Sequence, residues 1–207
     1  MVTSYSSYVS EAARGLTLRT PEGHTYRFDA GALCLELLPT GGPGGFARYE
    51  VLHGPDDLVR WAAESRLPGG LEPVVTGTDM AAARALRDAL WRLTADRAHG
   101  RPLGPDDLAV VNEAAAQAPP APRITPDGCR GWVRAATGTQ LLSAVARDAV
   151  DLFTGPYADR IRECASHDCF LLFVDTSRPG RRRWCAMERC GNRNKVRAHR
   201  ARHAEGD

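Results

Sequence analysis

Apolar and polar residues alternate over Leu16 to Thr20 and again over His24 to Phe28, around Pro21-Glu22-Gly23, which predicts a β-hairpin. The run from Ala32 to Leu38 is apolar except for Glu36 and reads as a largely buried strand, broken by a flexible linker at Gly41 to Gly45. From Pro55 the period changes. Leu58, Trp61, Ala62 and Ser65 share one face of a short helix that stops before Pro68. Asp79 can cap a longer helix to about His99, in which Ala82, Leu86, Ala89, Leu90 and Leu93 recur at the spacing of an amphipathic stripe. A third helix starts at Pro105 and carries Leu108, Val111 and Ala115 inward until the prolines at 119, 120 and 122 end it. Gly-Pro-Asp-Asp-Leu stands at both 54–58 and 104–108. It is one start signal used twice, with Pro at the first helical position and acids in the positive first turn. Arg123 to Thr125 and Arg130 to Ala135 flank Pro126-Asp127-Gly128 as a second hairpin. Thr139 then caps a helix lined by Leu142, Val145, Ala149, Leu152 and Phe153; Gly155-Pro156 ends it, and Pro156 can start the next turn. This order predicts an α+β fold, with residues 1–155 forming a mixed helix and hairpin domain.

Composition excludes collagen-like, mucin-like and wholly disordered chains, because 43% of the 207 residues are hydrophobic and 25% charged. The net charge of +2 conceals an asymmetry. Between Arg178 and Arg202 ten basic residues face one acid, Glu188, which leaves 17 basic against 24 acidic residues elsewhere in the chain. Such a contrast points to an anionic partner for the C-terminal segment, the plainer reading being a solvated charged face. Met1 to Leu16 has Ser and Tyr where a signal peptide needs an apolar stretch, and no run approaches the ~18 apolar residues of a membrane span. A cytoplasmic protein without membrane contact is expected. In that reducing compartment the six cysteines are thiols or metal ligands before they are disulfides.

Four of them form a pattern. Cys164 and Cys169 enclose four residues, fifteen residues follow, and Cys185 and Cys190 enclose four more. Two short loops that each supply two soft thiolates suit one structural Zn2+ in a closed tetrahedron. The alternatives are two disulfides or four unrelated thiols. Between the pairs, Phe170 to Asp175 reads as a strand, Ser177 to Gly180 as a turn and Arg181 to Trp184 as a returning strand; Gly191 to His203 reads as a helix. Loop, hairpin, then helix is a treble-clef-like order for residues 156–207, a segment too small to fold without the metal. Cys34 and Cys129 lie outside the pattern and are expected in the core, and His167 is a spare beside a complete ligand set.

The terminal helix is polar nearly all round, so an anion along its length would stabilise it. Lys195, Arg197 and Arg200 on that helix and Arg181, Arg182 and Arg183 before it are candidate phosphate contacts. Asn192 and Arg193 are candidates for base edges, since Asn suits adenine and Arg suits guanine in the major groove. The plainer alternative has Asn192 capping the helix and Arg193 pairing with Asp175. Trp184 either packs on the zinc loop or stacks on a base.

The segment from Arg183 to Lys195, with Cys-Gly-Asn-Arg at 190–193, closely resembles the CGNR zinc-finger family, and Cys169 and Phe173-Val-Asp175 fit as well. In that family the finger is a predicted DNA-binding module that usually follows an ABATE-type domain, a mixed α and β region proposed to belong to stress-induced transcription regulators. Phe28 to Leu35 and the chain length are similar to that arrangement. After Leu-Cys-Leu the family pattern runs to Asp, an aromatic, an aliphatic residue and Asn-Thr, whereas Glu36-Leu37-Leu38-Pro39-Thr40 stands here; Pro39 thus removes a side-chain amide and a backbone N–H. The resemblance implies a DNA-binding transcription regulator responding to stress, with double-stranded DNA as partner and an N-terminal domain that senses a small-molecule effector or dimerises. A homodimer would add the specificity that one small finger lacks. The alternative is a zinc-stabilised RNA-binding or protein-interaction module. An enzyme is not expected, because four thiolates leave zinc no open position and Gly41 to Gly45 lacks the Lys-Ser/Thr ending of a phosphate loop.

Overall fold

Period-two alternation gives a hairpin and capped amphipathic runs give helices, in the order read from the sequence. In the computed structural model, which describes residues 15–20 and 22–197, β1 (Leu16–Arg19) and β2 (Thr25–Phe28) pair antiparallel with Leu16 opposite Phe28. Three longer helices follow α2 (Pro55–Glu64): α3 (Gly77–Ala98), α4 (Pro105–Ala116) and α5 (Gly138–Thr154). They pack on one another pairwise, with β3 (Pro122–Ile124) and β4 (Arg130–Trp132) forming a hairpin between α4 and α5. The repeated Gly-Pro-Asp-Asp-Leu opens α2 and α4, each with Pro in the first turn. No described helix is long and apolar enough to cross a membrane.

The N-caps differ from expectation by two or three residues. Thr76, not Asp79, caps α3; its hydroxyl accepts the Asp79 N–H while the Asp79 carboxylate accepts the Thr76 N–H, a reciprocal capping box. Thr137, not Thr139, caps α5 in the same way with Gln140. Thr139 instead donates its hydroxyl to Asp79 Oδ1 at 3.2 Å, so the two helix starts are tied together. Thr137→Ala should therefore cost about 1 kcal/mol, a fall of ~2–4 °C in a chain of this size. Thermal unfolding followed by circular dichroism checks this, and an unchanged midpoint would show that the cap bond contributes nothing. On α3 the buried stripe includes Ala83, and Ala82 is exposed.

Two predicted strands are not strands. Residues 32–38 hold a single helical turn, α1 (Leu33–Glu36), continued by a 3-10 turn at Leu38–Thr40. Every residue of α1 is buried, so the apolar run carries no period to separate helix from strand. What selects the helix is tertiary. The Asp148 carboxylate of α5 accepts the Cys34 N–H at 2.8 Å, and the Trp61 indole of α2 donates to the Glu36 carbonyl at 2.9 Å. Glu36, fully buried, is met by Arg66, whose guanidinium also reaches Asp29 at 2.8 Å.

The second is residues 181–184, predicted to return alongside residues 170–175. Instead β6 (Leu172–Val174) pairs with β5 (Ile161–Glu163), directly after the short turn that follows Pro156. The Asp175 carboxylate accepts the N–H groups of Ser177 and Arg182 and the Ser177 hydroxyl, which turns the chain around itself before it can run back along β6. The other side of β6 meets the N-terminal part, where the Val174 N–H donates to the Ala30 carbonyl at 2.8 Å. Gly31 lies against it at φ +83°, and a Cβ there would stand 2.9 Å from the Val174 side chain. Buried apolar residues accordingly form one continuous core from Tyr26 to Cys190.

Candidate metal centre

The β5–β6 connection carries the first cysteine pair. Cys164 follows β5 and Cys169 precedes β6, and the Cys164 N–H donating to the Leu171 carbonyl at 3.0 Å closes the loop between them. The second pair arrives on the other chain segment. Cys185 ends the extended stretch and Cys190 sits in a wide π-type turn at Met187–Gly191, which runs into a helix at 192–197. All four thiols are buried, and their sulfur atoms lie within 4.8 Å of one another.

That spacing fits zinc. A Zn–S bond of about 2.3 Å in a tetrahedron places its sulfurs about 3.8 Å apart, and the Cys169–Cys185 and Cys185–Cys190 sulfurs lie 3.6 and 3.5 Å apart. Electrostatics agree. Hydrogen bonds from Cys169 and Cys185 hold Cys164 far down as a thiolate, and the same bonds, with burial, hold those two thiols well above the usual range. Cys164, Cys169 and Cys185 oppose one another's ionisation at this spacing, and a divalent cation among them would remove that opposition. Donors for the resulting negative charge are in place: the Cys185 N–H lies 3.4 Å from the Cys164 sulfur, and Arg193 Nη2 lies 3.7 Å from the Cys190 sulfur. One structural Zn2+ is the metal this donor set holds, its four thiolates completing a tetrahedral shell. His167 stays outside, 2.9 Å from Arg197. Of the two cysteines expected in the core, Cys34 is buried, but Cys129 is exposed at the tip of the β3–β4 hairpin, where the Thr125 to Cys129 turn leaves it no core to face.

The basic residues divide into two groups. Arg182 is turned inward: its guanidinium sits 4.2 Å over the Phe173 ring and donates to the carbonyls of Asp29, Trp184 and Cys185. Arg193 pairs with Asp168 at 2.9 Å, not with Asp175, and Asn192 continues the helix without capping it. Arg181, Arg183, Asn192, Lys195 and Arg197 are exposed, and Arg183 lies 5.0 Å over the half-buried Trp184 ring. Arg200 and the rest of the predicted helix beyond 197 fall outside the described residues. A groove of about 780 Å³ between β2 and the finger is lined by Arg27, Arg181 and Arg183, by Trp184 and Met187, and by the acids Asp29 and Glu188.

The residues that seat the finger were not signalled by spacing. Glu188 accepts the Arg27 N–H of β2, and Arg189 donates to the Tyr26 hydroxyl at 2.7 Å while lying 4.8 Å over its ring. Together with Arg182 and Asp29 they tie the metal loops to the first hairpin.

Residues 31–156 match the model of the ABATE family, described as "putative stress-induced transcription regulator", and residues 160–203 match that of the CGNR zinc finger. The two matches follow each other in the order that the motif and the preceding domain imply. No curated protein matches the chain.

Proposed function

Because the chain belongs to the ABATE family and ends in a CGNR zinc finger, we propose that it is a transcription regulator whose finger binds double-stranded DNA. The observation that carries this reading is the groove beside the four-cysteine centre, lined by Arg27, Arg181 and Arg183 with Asp29 and Glu188, where the Arg183 guanidinium lies over the Trp184 ring. The metal fixes the loop that presents Arg181 and Arg183, and the helix at 192–197 leaves the same centre carrying Lys195 and Arg197 outward. Arginines held on a rigid loop meet phosphates at lower entropic cost than arginines on a free chain. Arg181, Arg183, Lys195, Arg197 and Arg200 would then contact the backbone. Asn192 would read a base edge, joined by Arg193 once DNA draws it from Asp168. The zinc is structural and no catalytic step is assigned to it.

Fluorescence anisotropy of zinc-loaded protein on duplex DNA over a salt series tests the proposal. Binding should weaken steeply with salt, and Arg197→Ala should lower affinity for all sequences and reduce the salt slope by about one. Asn192→Ala should change sequence preference and leave that slope unchanged. Preference for single-stranded RNA over duplex would move the reading to an RNA-binding module with Trp184 as a stacking platform. Absence of binding at low salt would sink it.

A further inference from the structure

A second cavity, of about 670 Å³, lies between the N-terminal part and the finger. Its walls come from β1, from the chain between Leu38 and Leu52, from α2, and from residues 168–172 of the metal loop. The volume is that of a site for a small organic molecule.

Three features define what would fit. The first is aromatic: Phe46 packs 4.5 Å from Trp91 of α3 and 5.6 Å edge-on from Phe170, the residue after Cys169, and all three line the cavity. Pro39 adds apolar wall and offers no N–H. The second is charge. Arg60 and Arg193 on the lining are paired with Asp57 and Asp168, and Glu50 is paired with the buried Arg87. That leaves Arg19, Arg48 and Arg189 against Glu22 and Glu64. Arg48 is exposed, lies 4.7 Å over the Tyr49 ring and has no ion-pair partner among the described residues. The third is rigidity. Gly41, at φ +149°, lays the backbone across the Arg87–Glu50 pair, and a Cβ there would stand 2.6 Å from Arg87 Nη1. A wall fixed on a buried ion pair keeps its shape without a ligand, which lowers the cost of binding one.

We propose that this cavity binds a planar aromatic acid of one or two rings, its ring against Phe46, Trp91 and Phe170 and its carboxylate on the Arg48 guanidinium. Phe170 adjoins a metal ligand and Arg193 stands on the rim, so the occupant touches both parts of the chain and holds the metal loop closed. The site does not depend on whether the finger binds DNA.

The test uses the zinc-loaded full chain with 2-naphthoate as probe and the neutral 2-naphthamide as control, read by calorimetry. Naphthoate should bind saturably at one site, at least about tenfold more tightly than the amide, the usual value of a charge-assisted hydrogen bond. Arg48→Gln should bring naphthoate to the level of the amide and leave amide binding unchanged. Phe170→Ala should weaken both. At ten times its dissociation constant, naphthoate should slow zinc loss to EDTA about tenfold, because opening the loop then requires ligand release. No saturable binding overturns the site. Equal affinity for acid and amide overturns the anion assignment, and zinc loss unaffected by saturating ligand overturns the contact with the metal loop.

Discussion

Cys185→Ser should abolish the folded finger. Its sulfur is one vertex of the cluster, 3.6 Å from that of Cys169 and 3.5 Å from that of Cys190, and structural zinc supplies about 10–16 kcal/mol to sites of this kind. Zinc content, measured by elemental analysis after desalting, should fall from one per chain to a small fraction. The loss should reach beyond the finger, because β6 bonds to Ala30 and its Phe173 is fully buried in the shared core. The thermal midpoint of the α-helical signal should therefore fall as well. Cys129→Ser, on an exposed turn, should change neither reading, and Cys34→Ala should cost packing energy while keeping the zinc. A Cys185→Ser protein with one zinc per chain and an unchanged midpoint would overturn the assignment of the metal centre.

Arg66→Ala should be the most damaging change outside the metal centre, at about 3–5 kcal/mol, because it strands a buried charge. Arg66 Nε donates to Glu36 Oε1 and its Nη2 to Asp29 at 2.8 Å, while the Arg66 N–H donates to Glu36 Oε2. Glu36 has no exposed surface. Burial pushes its carboxyl up, against the pull of Arg66, and without the guanidinium it goes further up. An acid whose pKa is raised by folding binds more protons in the native state, so its share of stability is present at low pH and lost as pH rises through the folded value. The penalty of Arg66→Ala should therefore shrink as pH falls from 7 toward the ordinary glutamate value of about 4.3. Asp29 works in the opposite direction. Burial pushes it up, but the Gly31 N–H and Arg66 outweigh that and hold it below the usual range. Its contribution is present at neutral pH and disappears as pH falls below about 3.9 and through the folded value. Urea unfolding at pH 7 and pH 5 checks the first claim, and Glu36→Gln in the Arg66→Ala background should recover part of the loss. An equal penalty at both pH values would show that Glu36 is not the stranded group.

Much of the helical framework was legible because its signals are local. The prolines at 55 and 105 with acids behind them start α2 and α4, and the apolar spacing of α5 places Leu142, Val145 and Ala149 inward. Cap positions were less so: Asp79 is the N3 partner in the Thr76 capping box, and since an acid in the first turn signals a helix start as a cap does, the sequence marks the start of α3 only to within a turn, while the extended Thr76 backbone, at φ −107° and ψ 170°, fixes the cap. The run at 32–38 was illegible in principle, since a segment buried on every side has no polar face to reveal its period.

By itself the sequence determined the metal centre. Cysteine is chosen for its chemistry, and two pairs at matching spacing leave zinc few other arrangements. It also determined the family order and the excess of positive charge at the C-terminal end. Which of those charges face outward was decided by the tertiary structure. Arg182 reads like its neighbours Arg181 and Arg183, yet its guanidinium lies against Phe173 and three carbonyls, in a pocket completed by Asp29, 153 residues away. The same holds for Arg66 between Asp29 and Glu36 and for the cavity walled by Phe46, Trp91 and Phe170. Local spacing encodes how a segment coils and which metal it can hold; the partner of a buried charge is set by packing between distant segments, and no period along the chain records it.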